Sequence, residues 1–564
     1  MMSPRFIVRF LSVLGLAQAF LGFGGSALSE EDKKWQHYHG QEELETKLAE
    51  INQKCKEIST LYEIGQSVEG RPLVVLHFST TPGAHVPTKP EIKLIGNMHG
   101  NEPIGRELLL RFADNLCQGA LNNDKEIVQL LNSTSIHILP SMNPDGFELA
   151  LSTISTLYEI GQSVEGRPLV VLHFSTTPGA HVPTKPEIKL IGNMHGNEPI
   201  GRELLLRFAD NLCQGALNND KEIVQLLNST SIHILPSMNP DGFELALSTE
   251  PAKRQWLTGR SNANGVDLNR DFPDLDGVFY ELEQMKVPKY DHLLSLFDDS
   301  QSKHQPETLA VGQWTLSLPF VLSANFHEGD LVANYPFDSS KNPESGKTEY
   351  SASPDDGTFR WLASSYAENH AHMAKNDHAP CDGSSQDAFA RQGGITNGAK
   401  WYSVAGGMQD FNYLGTNSME ITLEISCEKM PAASQLPQFW ADNQKSIFEY
   451  VWKSHSGIKG IVVDAITGEP IERAVVWIRN GTQENPIKHP VTTWTEGDYY
   501  RILPAGQYEI FVAAEGYETA ARNITVENKV RDSALVVDFA LAPQIDNEDV
   551  AEILEELAIK PAEQ

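Results

Sequence analysis

Positive charge, sulfur and long apolar runs are all scarce in this chain. Forty-four Lys and Arg stand against 75 Asp and Glu, a formal charge of −31 at pH 7. Such a surface repels phosphate backbones and anionic lipid, which argues against nucleic acid as a partner and favours basic substrates. Beyond the amino terminus no apolar run approaches the ~20 residues that cross a bilayer, so no transmembrane anchor is expected. Only five cysteines occur, Cys55, Cys117, Cys213, Cys381 and Cys427. An odd number is awkward in an oxidising compartment.

The start of the chain nevertheless points to that compartment. Residues 1–29 read as a signal peptide, with Arg5 and Arg9 as the positive end, an apolar stretch at 11–23 too short to span a bilayer, and small residues at 27–29 for cleavage. Asn132, Asn228, Asn480 and Asn523 each open an N-x-S/T sequon, consistent with the same route. The expected location is the secretory granule or the outside of the cell. A chain of 564 residues, 40% hydrophobic, holds two to four domains.

What the chain has in excess is itself. Residues 58–153 recur letter for letter as 154–249. Solenoid repeats run to ~20–50 residues and diverge, so this is a recent duplication, or a join made in error, rather than a repeat architecture. Removing one copy leaves four cysteines, which can pair as Cys55 with Cys117 or Cys213, and Cys381 with Cys427. A single domain could take its early residues from the first copy and its later ones from the second. The switch would fall in the Pro/Gly-rich stretch 81–87 or at the seam beside Thr153. The unused copy is expected to be extruded, unable to complete a core alone.

The chemistry sits in both copies. In the second, the apolar segment 188–191 leads into His195-Gly-Asn-Glu198, after which Leu204, Leu205, Phe208, Ala209 and Leu212 mark one face of a helix. A His and a Glu three apart at the end of a buried strand can turn towards one point and suit zinc, leaving a position open for water once a third ligand joins. Taken alone the pair is more often a plain hydrogen bond. The first copy offers His99 and Glu102 instead; the second is preferred because it runs on into the rest of the site. His327 ends the apolar strand 319–327 and is the candidate third ligand, although alone it reads as a core histidine. Arg260 and Arg270 are either surface charges or planar forks for a carboxylate. Glu420 and Glu424 share one face of a strand at 420–427, a costly place for a carboxylate without a partner or a task.

Strands alternating with helices predict an α/β sheet with functional residues at strand ends. The helix marked by Leu44, Leu48, Ile51 and Cys55 is assigned with residues 30–57 to the catalytic domain, whose body runs from 154 to 455 beyond the first copy at 58–153. Much of the polar stretch 341–396 reads as loop over the site, and 435–452 as a closing helix. From 457 to 542 short strands with turn signals predict an all-β sandwich. The acidic tail, 543–564, carries Val550, Ile553, Leu554 and Leu557 at helical spacing; a solvated helix or disorder is preferred there over a weak membrane contact.

Six ordered motifs add a resemblance: GNMHGNE with GRELL, PSMNPDGFE, GVDLNRDFPDL, PFVLSANFH with GDLVANYPFD, WYSVAGGMQDFNYL, and EITLEISCEK. In these the chain resembles the secretory metallocarboxypeptidases of the regulatory B type. The resemblance implies a mixed-sheet catalytic domain followed by a transthyretin-like sandwich. It implies one zinc ion per active site on His195, Glu198 and His327, with Glu424 as general base and acid. Arg260 would polarise the scissile carbonyl, Asn269 and Arg270 would clamp the terminal carboxylate, and Tyr402 would close over the peptide. Asp338 would lie at the floor of a pocket that selects terminal Lys or Arg, with Gln409 beside it. The implied activity is removal of C-terminal Lys or Arg from secretory-pathway peptides. Two departures stand out: Glu328, where the family has a small residue, and Ser418, where one member has a cysteine. The rival readings are a zinc amide hydrolase of small acylated amino acids and an inactive binding or sorting protein. The Asp338 pocket argues against the first and the complete catalytic set against the second.

Overall fold

The computed structural model describes residues 39–100, 102–152, 154–183, 185–218, 220–285, 303–342, 348–383, 389–481, 483–531 and 533–544. The expected signal peptide and nearly all of the acidic tail lie outside the described residues. The chain forms two compact units, Met1–Ser152 and Thr153–Gln564, divided at the seam between the copies.

In the first unit helix α1 (Gln41–Lys54) precedes a hairpin of β1 (Ser59–Gln66) and β2 (Pro72–Phe78). Strand β3 (Glu91–Ile95), helices α2 (Ile104–Leu121) and α3 (Lys125–Ser133), strand β4 (Ser135–Leu139) and helix α4 (Pro144–Ser152) follow. The sheet runs β1-β2-β4-β3, so β3 is an edge. Leu44, Leu48 and Ile51 recur every three or four residues along α1 and pack with Leu110, Ala113 and Leu116 of α2. A Cys55–Cys117 disulfide ties the two helices together. Two expectations are corrected here. The first copy is not a coreless extrusion, and the helix within 30–57 packs on that copy rather than on the catalytic domain. The first copy is the nearest receptor along the chain, so closing that contact orders the shorter loop.

The second unit repeats the pattern as β5 (Ser155–Gln162), β6 (Pro168–Phe174), β7 (Glu187–Gly192), α5 (Ile200–Leu217), α6 (Lys221–Ser229), β8 (Ser231–Leu235) and α7 (Pro240–Ser248). It continues through α8 (Leu275–Met285), α9 (Pro306–Ser317), β9 (Phe320–His327), β10 (Asp330–Tyr335), α10 (Asp356–Asn369), β11 (Ile395–Asn397), α11 (Gly398–Trp401), α12 (Met408–Gly415), β12 (Met419–Ser426) and α13 (Leu436–Trp452). Eight strands form one mixed sheet in the order β11-β10-β12-β9-β7-β8-β6-β5. The parallel set β8-β7-β9-β12 is its centre. These strands are buried on both faces, as near-continuous apolar runs require. The stretch 341–396, much of it expected as loop, also contains α10, whose Phe359, Leu362, Ala363 and Tyr366 are buried at helical spacing. Its polar exposed face masked that periodicity. Cys381 and Cys427 are bonded as expected.

Residues 458–541 form two small sheets of the β-sandwich around their own core of Val462, Val476, Ile478, Ile510 and Val512. It is joined to the catalytic part by buried polar contacts. Arg501 pairs with Asp355 at 2.7 Å, both wholly buried, and Asn417 exchanges hydrogen bonds with the backbone of Thr492.

Candidate active site

The His195–Glu198 loop is built by its own residues. Asn193 adopts a positive φ of 57° and its Nδ2 donates to the carbonyls of His195, Gly196 and Glu198 at 3.0–3.2 Å. Gly196 lies against the backbone of Gly242 at the start of α7, where a Cβ would come within 2.1 Å; only glycine allows that approach. The loop therefore projects both side chains from the C-terminal end of β7. There the last residue of the neighbouring β9, His327, meets them.

His195 Nδ1, His327 Nδ1 and the Glu198 carboxylate converge, with separations of 3.1 Å between the nitrogens, 3.0 Å from His195 to Oε1 and 2.9 Å from His327 to Oε2. Ligand atoms of a tetrahedral ion with bonds of ~2.0–2.1 Å lie ~3.3 Å apart, so this donor set fits zinc. The His195 tautomer agrees: Nε2–H donates to Asp267 Oδ1 at 3.0 Å, leaving a lone pair on Nδ1. Burial alone would raise the Glu198 carboxyl, but the two imidazoles against it, His195 before His327, hold it well below its ordinary range. Burial pushes His327 down to about 4, so it stays neutral with its lone pair available.

Around the triad stand the other candidates. Glu424 on β12 is in register with His327 on β9. Burial first, and the Glu198 charge second, push its carboxyl well above the usual range, with Lys429 opposing. Among the described residues its Oε2 has no hydrogen-bond partner. Glu420, two pleats away on the same face, differs: it accepts from Ser323 Oγ and from Asn412 Nδ2 and faces the Lys189 charge. Glu420 Oε1 also lacks a partner among the described residues, so the two carboxylates differ in that Glu420 is anchored through Oε2 by two side-chain donors, a structural tie that Glu424 does not show.

Arg260 approaches His195 Nδ1 at 3.2 Å and Glu198 Oε1 at 3.4 Å, while its Nε donates to Asp267 Oδ2 at 3.0 Å. Asp267 thus holds a ligand candidate with one oxygen and Arg260 with the other. Asn269 Oδ1 accepts the Met408 amide at 3.0 Å, and Arg270 Nη1 donates to the Asn269 carbonyl at 2.8 Å. Both line a cavity of about 200 Å³ that also includes the triad, Arg260, Asp338, Tyr402 and Glu424. Asp338 is buried at that cavity's wall, its Oδ1 accepting from Asn334 Nδ2 at 2.9 Å and Gln409 Nε2 at 3.0 Å. Gly398 makes room for it, since a Cβ there would strike Oδ1 at 1.8 Å. Burial raises the Asp338 carboxyl to about 6. Tyr402 is partly exposed at the mouth, and burial followed by the Glu424 charge lifts its hydroxyl to about 12.

Every sequence-predicted residue of the second copy and beyond is brought together. The alternative pair is not: His99 and Glu102 lie 3.1 Å apart, but both side chains are 69% exposed. Among the described residues no third donor joins them, because β3 is an edge with no β9 beside it. Four neighbours were missed. Asp267 and Asp410 lie inside quoted motifs, one two residues before Asn269 and the other next to Gln409. Asp410 Oδ2 accepts the Asp338 and Ser339 amides at 2.6 and 3.2 Å and so fixes the turn that carries Asp338. Lys429 Nζ reaches Glu198 Oε1 at 2.6 Å and lies over the Trp256 ring. Lys429 closes the quoted motif EITLEISCEK, whereas no one-dimensional signal marked Trp256. The unusual Glu328 accepts from the Ile200 amide at the start of α5, so its carboxyl is tied to a helix N-terminus beside the triad. Burial, with the Glu198 charge, pushes it well above the usual range.

A second trio, His173, Glu187 and His233, also gathers three donors, yet its tautomers exclude an ion. His173 Nδ1 accepts the Gly179 amide at 2.9 Å, which leaves the proton on Nε2. Tyr158 accepts from Trp314 and gives its own proton to His233 Nδ1, so His233 Nε2–H donates to Glu187 at 2.7 Å.

Comparison with known proteins agrees with this geometry. The family model described as "Zinc carboxypeptidase" matches residues 44–154 and again 149–446, and that of the "Carboxypeptidase regulatory-like domain" matches 457–542. The chain is similar to carboxypeptidase E of Caenorhabditis elegans, 64% identical over 563 residues that cover 99% of this chain and 98% of the other. It is 45% identical to the carboxypeptidase N catalytic chain of Mus musculus, over 69% of this chain and 81% of that one. It is 42% identical to mouse carboxypeptidase Z, over 70% and 58%.

Proposed function

The chain belongs to the zinc carboxypeptidase family, and from that premise we propose that it removes a C-terminal Lys or Arg from peptides of the secretory pathway. The observation that supports this specificity is Asp338, a buried carboxylate at the wall of the same cavity as the triad. In a low-dielectric pocket it rewards a cation and is left unpaired by a neutral side chain.

His195, Glu198 and His327 would hold the zinc, which when bound supplies Lewis acidity to a carbonyl and lowers the pKa of water. Glu424, buried and without a structural partner, takes a proton from the attacking water and hands it to the leaving amine. Arg260, fixed by Asp267, presents its guanidinium where the carbonyl oxygen gains charge, so its effect falls on turnover. Arg270 and Asn269 hold the terminal carboxylate, a group present throughout, and thereby set exopeptidase register. Tyr402 covers the mouth. No helix of the described residues is long and apolar enough to cross a membrane; a secreted or granule location rests on the signal-peptide pattern read in residues 1–29.

The Asp338→Ala chain tests the reading. It should lose about 10²–10³-fold in kcat/KM on Lys and Arg ends, the cost of a broken buried ion pair, and little on neutral ends. Equal loss on both would remove Asp338 from the pocket. Glu424→Gln should retain zinc and lose about 10²–10⁴-fold in turnover.

A further inference from the structure

The repeat gives this chain two identical receptors for one helix. In the first unit α1 covers the α2 face of Arg106, Leu110, Asp114 and Cys117, all buried. Arg106 Nη1 donates to the His39 carbonyl, the Gln41 amide donates to Glu148 Oε1 at 2.7 Å, and Cys55–Cys117 closes the contact. The same letters on α5 are Arg202, Leu206, Asp210 and Cys213. Leu206 is 39% exposed where Leu110 is 0%. Asp210 is exposed, Arg202 and Cys213 are only partly covered, and Cys213 is the unpaired thiol among the described residues.

The occupant of that bare face is written in its twin. Because β1–β2 and β5–β6 are identical, residues 41–78 can take the place of 154–174 beside β8 without losing a strand pair. Leu76, His77 and Phe78 already pair with Ile138, His137 and Ile136. In the exchanged form they would make the pairs that Leu172, His173 and Phe174 make with Ile234, His233 and Ile232. The displaced residues 79–174 still hold β3, β4, β5 and β6, the same sheet in permuted order. Extruding a segment of that length at a surface loop costs a closure entropy that grows only slowly with length. What changes is which receptor holds α1.

We propose that the Arg202–Leu206–Asp210–Cys213 face is a docking surface for α1 of the same chain, giving an exchanged form with a Cys55–Cys213 disulfide. The exchange needs no oxidant. Cys213, as thiolate, attacks Cys55 Sγ; the Cys55–Cys117 bond breaks, its electron pair leaves on Cys117, and the proton lost by Cys213 ends there.

The peptides bearing Cys117 and Cys213 have identical masses, so the test uses the full chain carrying Asn115→Gln, an exposed tag on the first. After equilibration in a glutathione redox buffer and alkylation with iodoacetamide, non-reducing digestion and mass spectrometry should show Cys55 linked to both peptides, with alkylated Cys117 in the exchanged fraction. Cys55–Cys117 alone, with Cys213 fully alkylated, overturns the proposal. In a Cys117→Ser chain, Cys55–Cys213 should form within the monomer and be suppressed by adding Leu206→Asp. A link that survives that addition reports random collision rather than docking, and also overturns it.

Discussion

In α2 the buried side is Arg106, Leu110, Asp114 and Cys117, while Ile104 and Leu108 are exposed. In α5, built from the same letters, Ile200, Leu204, Leu205 and Phe208 are buried and Leu206 is exposed. The helices share their length, and α3 and α6 are capped alike by Asp124 and Asp220. One copy faces α1; the other faces β9 and α13. Local structure follows from local sequence, whereas burial, and with it function, follows from the neighbour. His99 and His195 show the consequence: the same loop is a surface hydrogen bond in one copy and two-thirds of a metal site in the other.

The sharpest way to break that contrast is to remove each histidine in turn. His195→Ala should take zinc from about one ion per chain to none and abolish hydrolysis with it. His99→Ala should leave both unchanged, as metal analysis and a peptide assay would show. Loss of zinc in His99→Ala would mean that the first copy supplies the ligands.

Stability reads the same contrast on a smaller scale. Leu110→Ala should cost about 2–5 kcal/mol in the unfolding of the first unit, as for a wholly buried leucine. Leu206→Ala should cost less than about 0.5 kcal/mol. The opposite faces invert the order: Ile200→Val should cost about 0.5–1.5 kcal/mol and Ile104→Val almost nothing. Urea unfolding with hydrogen exchange to separate the units measures all four. A costly Leu206→Ala would mean that α1 spends its time on the second copy.

These pairs also mark how far the letters could be read. The α/β class and the sandwich were legible from patterning, whereas Glu424 and Asp338 entered as candidates through the resemblance, whose motifs contain them. The preference for the second copy came from its continuity with the rest of the site; the identical letters add nothing to it, and contact with β9, far along the chain, makes the physical difference. The helix α10 escaped because its exposed side is polar. Asp410 escaped because its work is done on the backbone of Asp338, and a backbone contact leaves no pattern. The placement of α1 escaped for a different reason: its apolar face fits both receptors, and proximity along the chain rather than chemistry separates them.

The smallest expected effect concerns His181 and its twin His85. His85 pairs with Glu91 on the surface, 71% exposed, whereas His181 is 12% exposed and bridges Glu187 at 2.9 Å and Asp498 of the sandwich at 3.1 Å. Burial alone would lower the His181 imidazole, but its hydrogen bonds to Asp498 and Glu187 hold it up at about 9, from an ordinary 6.5. Glu187, which burial would raise, is held down at about 2 by His181 and His233, so it stays ionised throughout this window. A raised folded-state value means that the protonated form favours folding: the contribution is complete below 6.5 and fades as pH rises through about 9. Calorimetry should therefore show Tm of the second unit falling across that interval. His181→Gln should flatten the slope and His85→Gln should not. A slope that survives His181→Gln would assign the alkaline loss to another group and leave the link between sandwich and sheet to Arg501 and Asp355.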